Sequence, residues 1–399
     1  MVRTTLFWMA LAMAAQLAAA ATAEEPPVEP RDALARAAAY LWSQQADDGG
    51  WHSGQYAVLR SGQALTPFVL HALLSIPEDL APRPDGGVNR ALQFIRQHVD
   101  ERGALGRADP DVLEYPVYST AYALRCLVKA GNPEDRKLIE QMAQFLLEAQ
   151  FDEGEGFDGN DLAYGGWGFD VARAAGDPGH MDLAHTRRAL EALADARRAG
   201  VIADSHGYVN RAREFLDIVQ KASPLVNSSP RQPPIDGRPT PISLDNAAYD
   251  GGFYFSPVVL AANKGRTDDE PVPHWRSYAT ATCDGILALI AGGSPGRDAR
   301  VVAASKWLRD HSNLQYPQGI PADDPEPWGE AVKFYHFAVR AEAYRALDWD
   351  LAERRQLAAL VARRQRPDGS FVNADSPLMK EDDPVMCTAL AVVALANCQ

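Results

Sequence analysis

Three residues able to do chemistry fall within one short stretch: His180, Asp182 and His185. Two imidazoles and a carboxylate at the entry to a helix suit either a metal site or an acid–base cluster. The plainer alternative makes Asp182 the N-cap of that helix and leaves the histidines as hydrogen-bonding residues. A further histidine, His336, and the acidic run Glu381-Asp382-Asp383 stand near the starts of two later helices. Acids in such places also serve as charged caps. The loop Asp152–Asp161 is acidic enough to suggest calcium, yet it lacks the ligand order of an EF-hand and its closing bidentate Glu. No Gly-x-Ser-x-Gly, phosphate loop or dinucleotide fingerprint occurs. The expectation is a site without metal or cofactor.

These residues must be positioned by a repeated element. An aromatic-plus-Leu helix end, a Gln, a few polar residues, Gly and an aromatic recur as Tyr40…Gln45…Gly49-x-Trp51, Phe145…Gln150…Gly154…Phe157 and Leu360…Gln365…Gly369-x-Phe371. Recurrence on this scale marks one supersecondary unit used repeatedly. Between these phrases two kinds of helix alternate. The amphipathic kind covers Asp32–Gln45, Val88–His98, Lys137–Gln150, Asn210–Lys221, Asp298–Asp310 and Leu351–Arg364. The more apolar kind covers Leu65–Leu74, Tyr118–Ala130, Leu183–Ala199, Tyr278–Ala291, Phe334–Leu347 and Val385–Ala396. Helices apolar on most sides belong in a buried layer. Near their starts stand Thr66, Thr120, Thr186, Thr280 and Thr388, with His336 in the corresponding place of the fifth unit. Six such hairpins close into a double ring, apolar helices inside, and neither end carries the polar cap that an open solenoid needs.

Of 399 residues, 46% are hydrophobic and 23% charged, as in an ordinary globular protein. The formal charge of −14 excludes nucleic acid as a partner, because phosphate binding needs a basic face. Arg3, the apolar stretch Leu6–Ala21 and the small residues Ala21-Thr22-Ala23 form a signal peptide over residues 1–23. The chain is therefore expected to be exported, periplasmic or extracellular, with residues 24–399 as one domain. A loop insertion rich in Pro and Ser is expected near residues 223–275. No second apolar run reaches membrane-spanning length. Export permits disulfides among Cys126, Cys283, Cys387 and Cys398, but three of the four sit in apolar helical patterns, where a free buried thiol is the alternative.

The Gln–Gly–aromatic phrases resemble the QW repeats of the terpenoid cyclase and protein prenyltransferase superfamily, which includes the squalene–hopene cyclases. Tyr164-Gly165-Gly166-Trp167-Gly168-Phe169, Asp182-Leu183-Ala184-His185-Thr186 and Ser277–Thr282 resemble segments of secreted bacterial members with prenyltransferase and squalene oxidase repeats. The resemblance spans the mature chain and implies an all-α (α/α)6 toroid, a double ring of six helical hairpins. The repeat itself is architectural. Gln45, Trp51, Gln365 and Phe371 are expected to staple the ring.

The resemblance also implies that chemistry sits at the N-terminal ends of the inner helices, facing a central cavity. Cyclases of this kind carry Asp-x-Asp-Asp-Thr-Ala there, whose central acid protonates an alkene. Pro384–Ala389 keeps only the Thr-Ala, and Asp182–Thr186 keeps the first Asp and the Thr, with Ala184 and His185 in place of the later acids. Phe334-Tyr335-His336 resembles the His-bearing zinc segment of prenyltransferases, but the Asp-x-Cys partner is replaced by adjacent Cys283-Asp284. Asp182, His185 and His336 are thus the candidate catalytic residues. Tyr118, Tyr278, Trp328, Phe334 and Tyr335, with Trp275, are candidate ligand contacts in an aromatic wall. The expected function is binding of a hydrophobic or polymeric ligand in the cavity: a hydrophobic small molecule, a glycan or a protein partner. Two enzymatic alternatives stand beside it. One is a squalene-type cyclase or lyase with a non-standard acid; the other is a polysaccharide lyase or hydrolase using Lys333, Arg340 and Glu330.

Overall fold

A computed structural model describes residues 28–109, 111–171, 180–203, 207–223, 226, 249–265 and 274–399. The expected signal peptide and most of the expected loop insertion lie outside these residues. Twelve long helices alternate between two rings. The outer ring holds α1 (Pro30–Ser43), α3 (Gly87–His98), α5 (Arg136–Glu148), α7 (Gly207–Val219), α9 (Ala299–Asp310) and α12 (Leu351–Ala362). The inner ring holds α2 (Leu65–Leu74), α4 (Pro116–Ala130), α6 (Leu183–Arg198), α8 (Ala279–Ala291), α11 (Lys333–Ala346) and α13 (Pro384–Asn397). A single turn, α10 (Trp328–Ala331), precedes α11. Each inner helix packs on the next, and α13 returns to pack on α2, while α12 meets α1 in the outer layer. The molecule is the closed (α/α)6 toroid anticipated from the repeat.

The repeated phrase performs one hydrogen-bonding task at four of the six corners. The amide Nε2 of Gln45 donates to the carbonyls of Gly49 in its own turn and of Gly87 in the next outer helix, at 3.0 and 2.9 Å. Gln150 does the same to Gly165 and Tyr208, so this copy of the phrase closes on Gly165 and Trp167 and not, as expected, on Gly154 and Phe157, and Gln220 does the same to Gly251 and Arg300. Gln365 reaches Gly369 and Ala33, so the last corner is tied to the first helix. A carbonyl already used within a helix has a second lone pair for this purpose. The glycine is needed twice over. At Gly165 φ is +84°, and a Cβ would lie 1.8 Å from the carbonyl oxygen of Arg211 in the neighbouring helix.

The aromatic residue then clamps the two rings together. The indole N–H of Trp51 donates to Leu41 O at 2.6 Å, and that of Trp167 to Leu146 O at 2.6 Å. Both acceptors lie in the last turn of an outer helix, where carbonyls lack helical partners. The backbone N–H groups of Trp51, Leu105, Trp167, Phe253 and Phe371 donate to the hydroxyls of Thr66, Thr120, Thr186, Thr282 and Thr388 on inner helices. The fourth unit corrects the sequence reading: Thr282, not Thr280, occupies this place. In the fifth unit His336 replaces the threonine, buried against the backbone of Asn313 and Leu314.

All four cysteines are buried free thiols, and burial pushes those of Cys126, Cys283 and Cys398 up to about 12. Among the described residues no helix is long and apolar enough to cross a membrane.

Candidate functional site

The N-terminal ends of the inner helices surround a cavity of about 720 Å³. Its lining is dominated by apolar and aromatic side chains, among them Phe68, Tyr118, Tyr122, Tyr278, Trp328 and Tyr335. Along each inner helix the residues at helical spacing face the axis: Tyr118 and Tyr122 on α4, His185 and Arg188 on α6, Thr280 and Asp284 on α8, Tyr335 and Ala338 on α11.

Asp182 and His185 form a fixed pair on one wall. The two-residue strands β1 (Trp167–Gly168) and β2 (Met181–Asp182) pair antiparallel and deliver Asp182 to the start of α6. One oxygen of its carboxylate accepts the His185 backbone N–H at 2.9 Å, and the other meets His185 Nδ1 at 2.8 Å. His180 Nε2 lies 3.4 Å from that second oxygen. Burial opposes charge on Asp182, but the His185 ring and the hydrogen bonds from His180 and His185 outweigh it. Its carboxyl is held well below the usual carboxylate range. Tyr118 meets the His185 ring edge-on at 4.5 Å. The far nitrogen, His185 Nε2, is buried and has no hydrogen-bond partner among the described residues. It borders the cavity.

The floor is charged. Asp284 takes the Tyr335 hydroxyl at 2.8 Å on one oxygen and Arg187 at 2.9 Å on the other. Burial pushes its carboxyl upward against the pull of Arg187. Beneath it Arg187 and Arg188 share Glu191 and Glu342, and Arg125 joins Glu191 and Asp195. At the rim, Glu381 is buried with its carboxyl on the backbone N–H groups of Phe334 and Tyr335 and on Asn373 Nδ2, all within 2.8 Å. It caps α11, while Asp383 caps α13 through Val385 N and Met386 N. Burial pushes the Glu381 carboxyl up to about 7, against those hydrogen bonds.

Of the residues singled out in the sequence, Tyr118, Asp182, His185, Tyr278, Trp328 and Tyr335 meet at this cavity. Phe334 and His336 do not. They flank Tyr335 on α11, and each step of about 100° along a helix turns a neighbour off the inward face. Phe334 packs instead on Phe337 and Phe371. His336 is fully buried, and burial together with nearby Arg340 holds its ring well below the ordinary histidine range. It is therefore neutral, and it is not part of the cavity lining that holds Asp182 and His185. Lys333, Arg340 and Glu330 also lie off the lining: Lys333 pairs with Asp375, and Arg340 donates to Tyr344 Oη and to the His311 carbonyl.

Trp275 is likewise not among the lining residues. The acidic loop uses Asp152 to cap its own turn at Gly154 N and to pair with Arg211 at 3.0 Å. Among the described residues no cluster of three His, Cys, Asp or Glu side chains is arranged to hold a metal ion.

Arg188, Tyr122 and Lys264 escaped the sequence reading, which met Asp284 only beside Cys283 and Glu381 only within an acidic cap. A signal existed for some of them: Arg188, Glu191 and Asp195 recur at helical spacing on an otherwise Ala/Leu-rich helix.

No protein-family model matches the chain, and neither does any curated protein. Solved structures do. A variant of the type II terpene cyclase MstE from Scytonema, in complex with geranylgeranyl dihydroxybenzoate, matches with a TM-score of 0.53 at 14% identity. That alignment covers 92% of this chain and 97% of the other. A protein from Actinoplanes matches with a TM-score of 0.52 at 16% identity, covering 93% and 99%. Apo MstE gives 0.52 at 15% identity, covering 92% and 97%. At such identities the likeness is one of fold, and the chain has the helical toroid fold of the type II terpene cyclases.

Proposed function

We propose that this chain holds an elongated hydrophobic molecule of prenyl type in its central cavity and transfers a proton on it through His185. The observation that carries this reading is the unpartnered Nε2 of His185, buried at the edge of an aromatic cavity while Nδ1 is fixed by Asp182. An ionised Asp182 fixes the orientation of the ring through Nδ1, which leaves Nε2 as the atom where a proton can be taken up or released. An imidazolium is a weak acid compared with the carboxylic acid used on unactivated alkenes. The chemistry is therefore a proton transfer at an activated position, such as an enol, an allylic carbon or a leaving hydroxyl. Tyr118, Tyr122 and Trp328 would face any cationic centre that formed. The ligand of the MstE complex, geranylgeranyl dihydroxybenzoate, carries such a hydrophobic prenyl chain.

A second reading is a cyclase with a non-standard acid, favoured by one observation: Asp284 borders the cavity with its carboxyl pushed upward by burial. Export through residues 1–23 belongs to the same proposal and is checked by N-terminal sequencing of the secreted protein. The function is tested by extracting the purified protein with organic solvent for mass spectrometry, then assaying squalene and geranylgeraniol turnover. A bound polyprenyl compound and loss of turnover in His185→Gln are expected for the first reading. Loss in Asp284→Asn with His185→Gln unaffected selects the second. Absence of any hydrophobic ligand would overturn both.

A further inference from the structure

Among the described residues, one buried cation at this cavity has no counter-ion. Lys264 is 7% exposed and borders the cavity. Its Nζ donates to the carbonyl of Ala262 at 2.6 Å. An ammonium has three N–H bonds, so two remain. Around it stand aromatic faces: Trp328 at 4.3 Å, Phe255 at 4.9 Å and Tyr278 at 5.9 Å from the ring centroids. Among the described residues no carboxylate lies within ion-pair distance of it, although Asp182 and Asp324 act on it from further away. His180, near the same rim, feels its charge as a repulsion.

Aromatic faces compensate a desolvated cation only in part. A buried charge normally persists where it is paired or hydrogen-bonded on all sides. Burial accordingly lowers the Lys264 amine to about 8, which still leaves it mostly charged at neutral pH. Two other cations border the cavity: Arg188, beside Tyr122, is already neutralised by Glu191 and Glu342, and Lys380 is only half-buried, beside the Tyr56 ring. Among the described residues the cavity thus offers one buried and uncompensated positive charge in an apolar, aromatic setting. A diphosphate would need several cations to hold it, whereas a single carboxylate needs one.

We infer that Lys264, boxed by Trp328, Phe255 and Tyr278, is the headgroup site of the ligand, and that the ligand is a hydrophobic monocarboxylic acid. The acid would lie with its carboxylate on the two remaining ammonium N–H bonds and its chain along the aromatic wall toward Asp284. This inference rests on the proposed binding of a hydrophobic molecule in the cavity and narrows its class.

The test compares farnesoic acid with farnesol, which share a chain and differ in the headgroup. Binding to the full-length protein is read from tryptophan fluorescence at pH 7. Farnesoic acid should bind at least tenfold more tightly. Lys264→Met should abolish that preference, and Lys264→Arg, which keeps the charge, should retain part of it. Circular dichroism of each variant checks that it is folded. Equal affinities for the acid and the alcohol, or a preference that survives in Lys264→Met, would overturn the headgroup site and leave the hydrophobic cavity standing. Binding of neither compound would overturn both.

Discussion

The outer corners of the ring and the wall of its cavity come from the same six hairpins, yet they treat the repeat in opposite ways. At the corners, Gln45, Gln150, Gln220 and Gln365 make the same pair of bonds, and five threonines accept from the same backbone position. At the cavity, the residues contributed near the starts of the six inner helices are Phe68, Tyr118, His185, Thr280, Tyr335 and Met386, nearly all different. Closure demands that every corner have one geometry, so selection of residue type there is structural. The wall has no such demand, and its chemistry lies where the units diverge.

Breaking a corner should therefore cost stability, and breaking the wall should cost function. The largest effect is expected for Trp167→Ala, which empties a fully buried site and orphans the Leu146 carbonyl. A loss of about 3–5 kcal/mol is expected from chemical denaturation. Next comes a rim group that titrates. The Glu381 carboxyl is raised in the folded protein from its ordinary 4.5 to about 7. The folded state then holds a proton that the unfolded chain releases, so stability falls as pH rises from 4.5 to 7, by roughly 3 kcal/mol. Asp182 acts in the opposite sense: its lowered carboxyl contributes stability above its ordinary 3.8 that is lost as the solution is acidified below it. Thermal melts of the wild type and Glu381→Gln across this range should differ in slope, the variant being flatter.

Gln365→Ala removes the tie between the last corner and α1, and a loss of roughly 1–3 kcal/mol is expected. An unchanged midpoint would show that closure does not depend on the staple. The smallest change in stability, within about 1 kcal/mol, is expected for His185→Gln, because its ring makes one side-chain hydrogen bond and Asp182 keeps the backbone N–H of position 185. Turnover in the same variant should fall on the order of a hundredfold or more. A variant as unstable as Trp167→Ala, or one with intact turnover, would erase the distinction between corner and wall.

The sequence spoke clearly about the corners, because Gln, Gly, an aromatic and Thr recur at spacing that only a repeated unit explains. It also pointed to Asp182 and His185, whose spacing across a helix start is a local pattern. Register was harder to read. Thr280 and Thr282 are two residues apart on one helix, and only the structure shows which accepts from Phe253 N. Phe334 and His336 flank the inward-facing Tyr335, and a shift of one position moves a side chain from the cavity into the layer between rings. Lys264 stands in a stretch between units that carries no helical period. Glu381 precedes α13 in the chain but caps α11, a pairing set by tertiary packing.

The place of a hydrophobic ligand in the cavity is tested most directly by photoaffinity mapping. A polyprenyl probe bearing a diazirine would be bound, irradiated and located by peptide mass spectrometry. Labels on Tyr118, Tyr278 or Trp328 that excess farnesol displaces are expected. Labelling confined to the exposed Leu260 and Leu378, or indifferent to competition, would contradict the account.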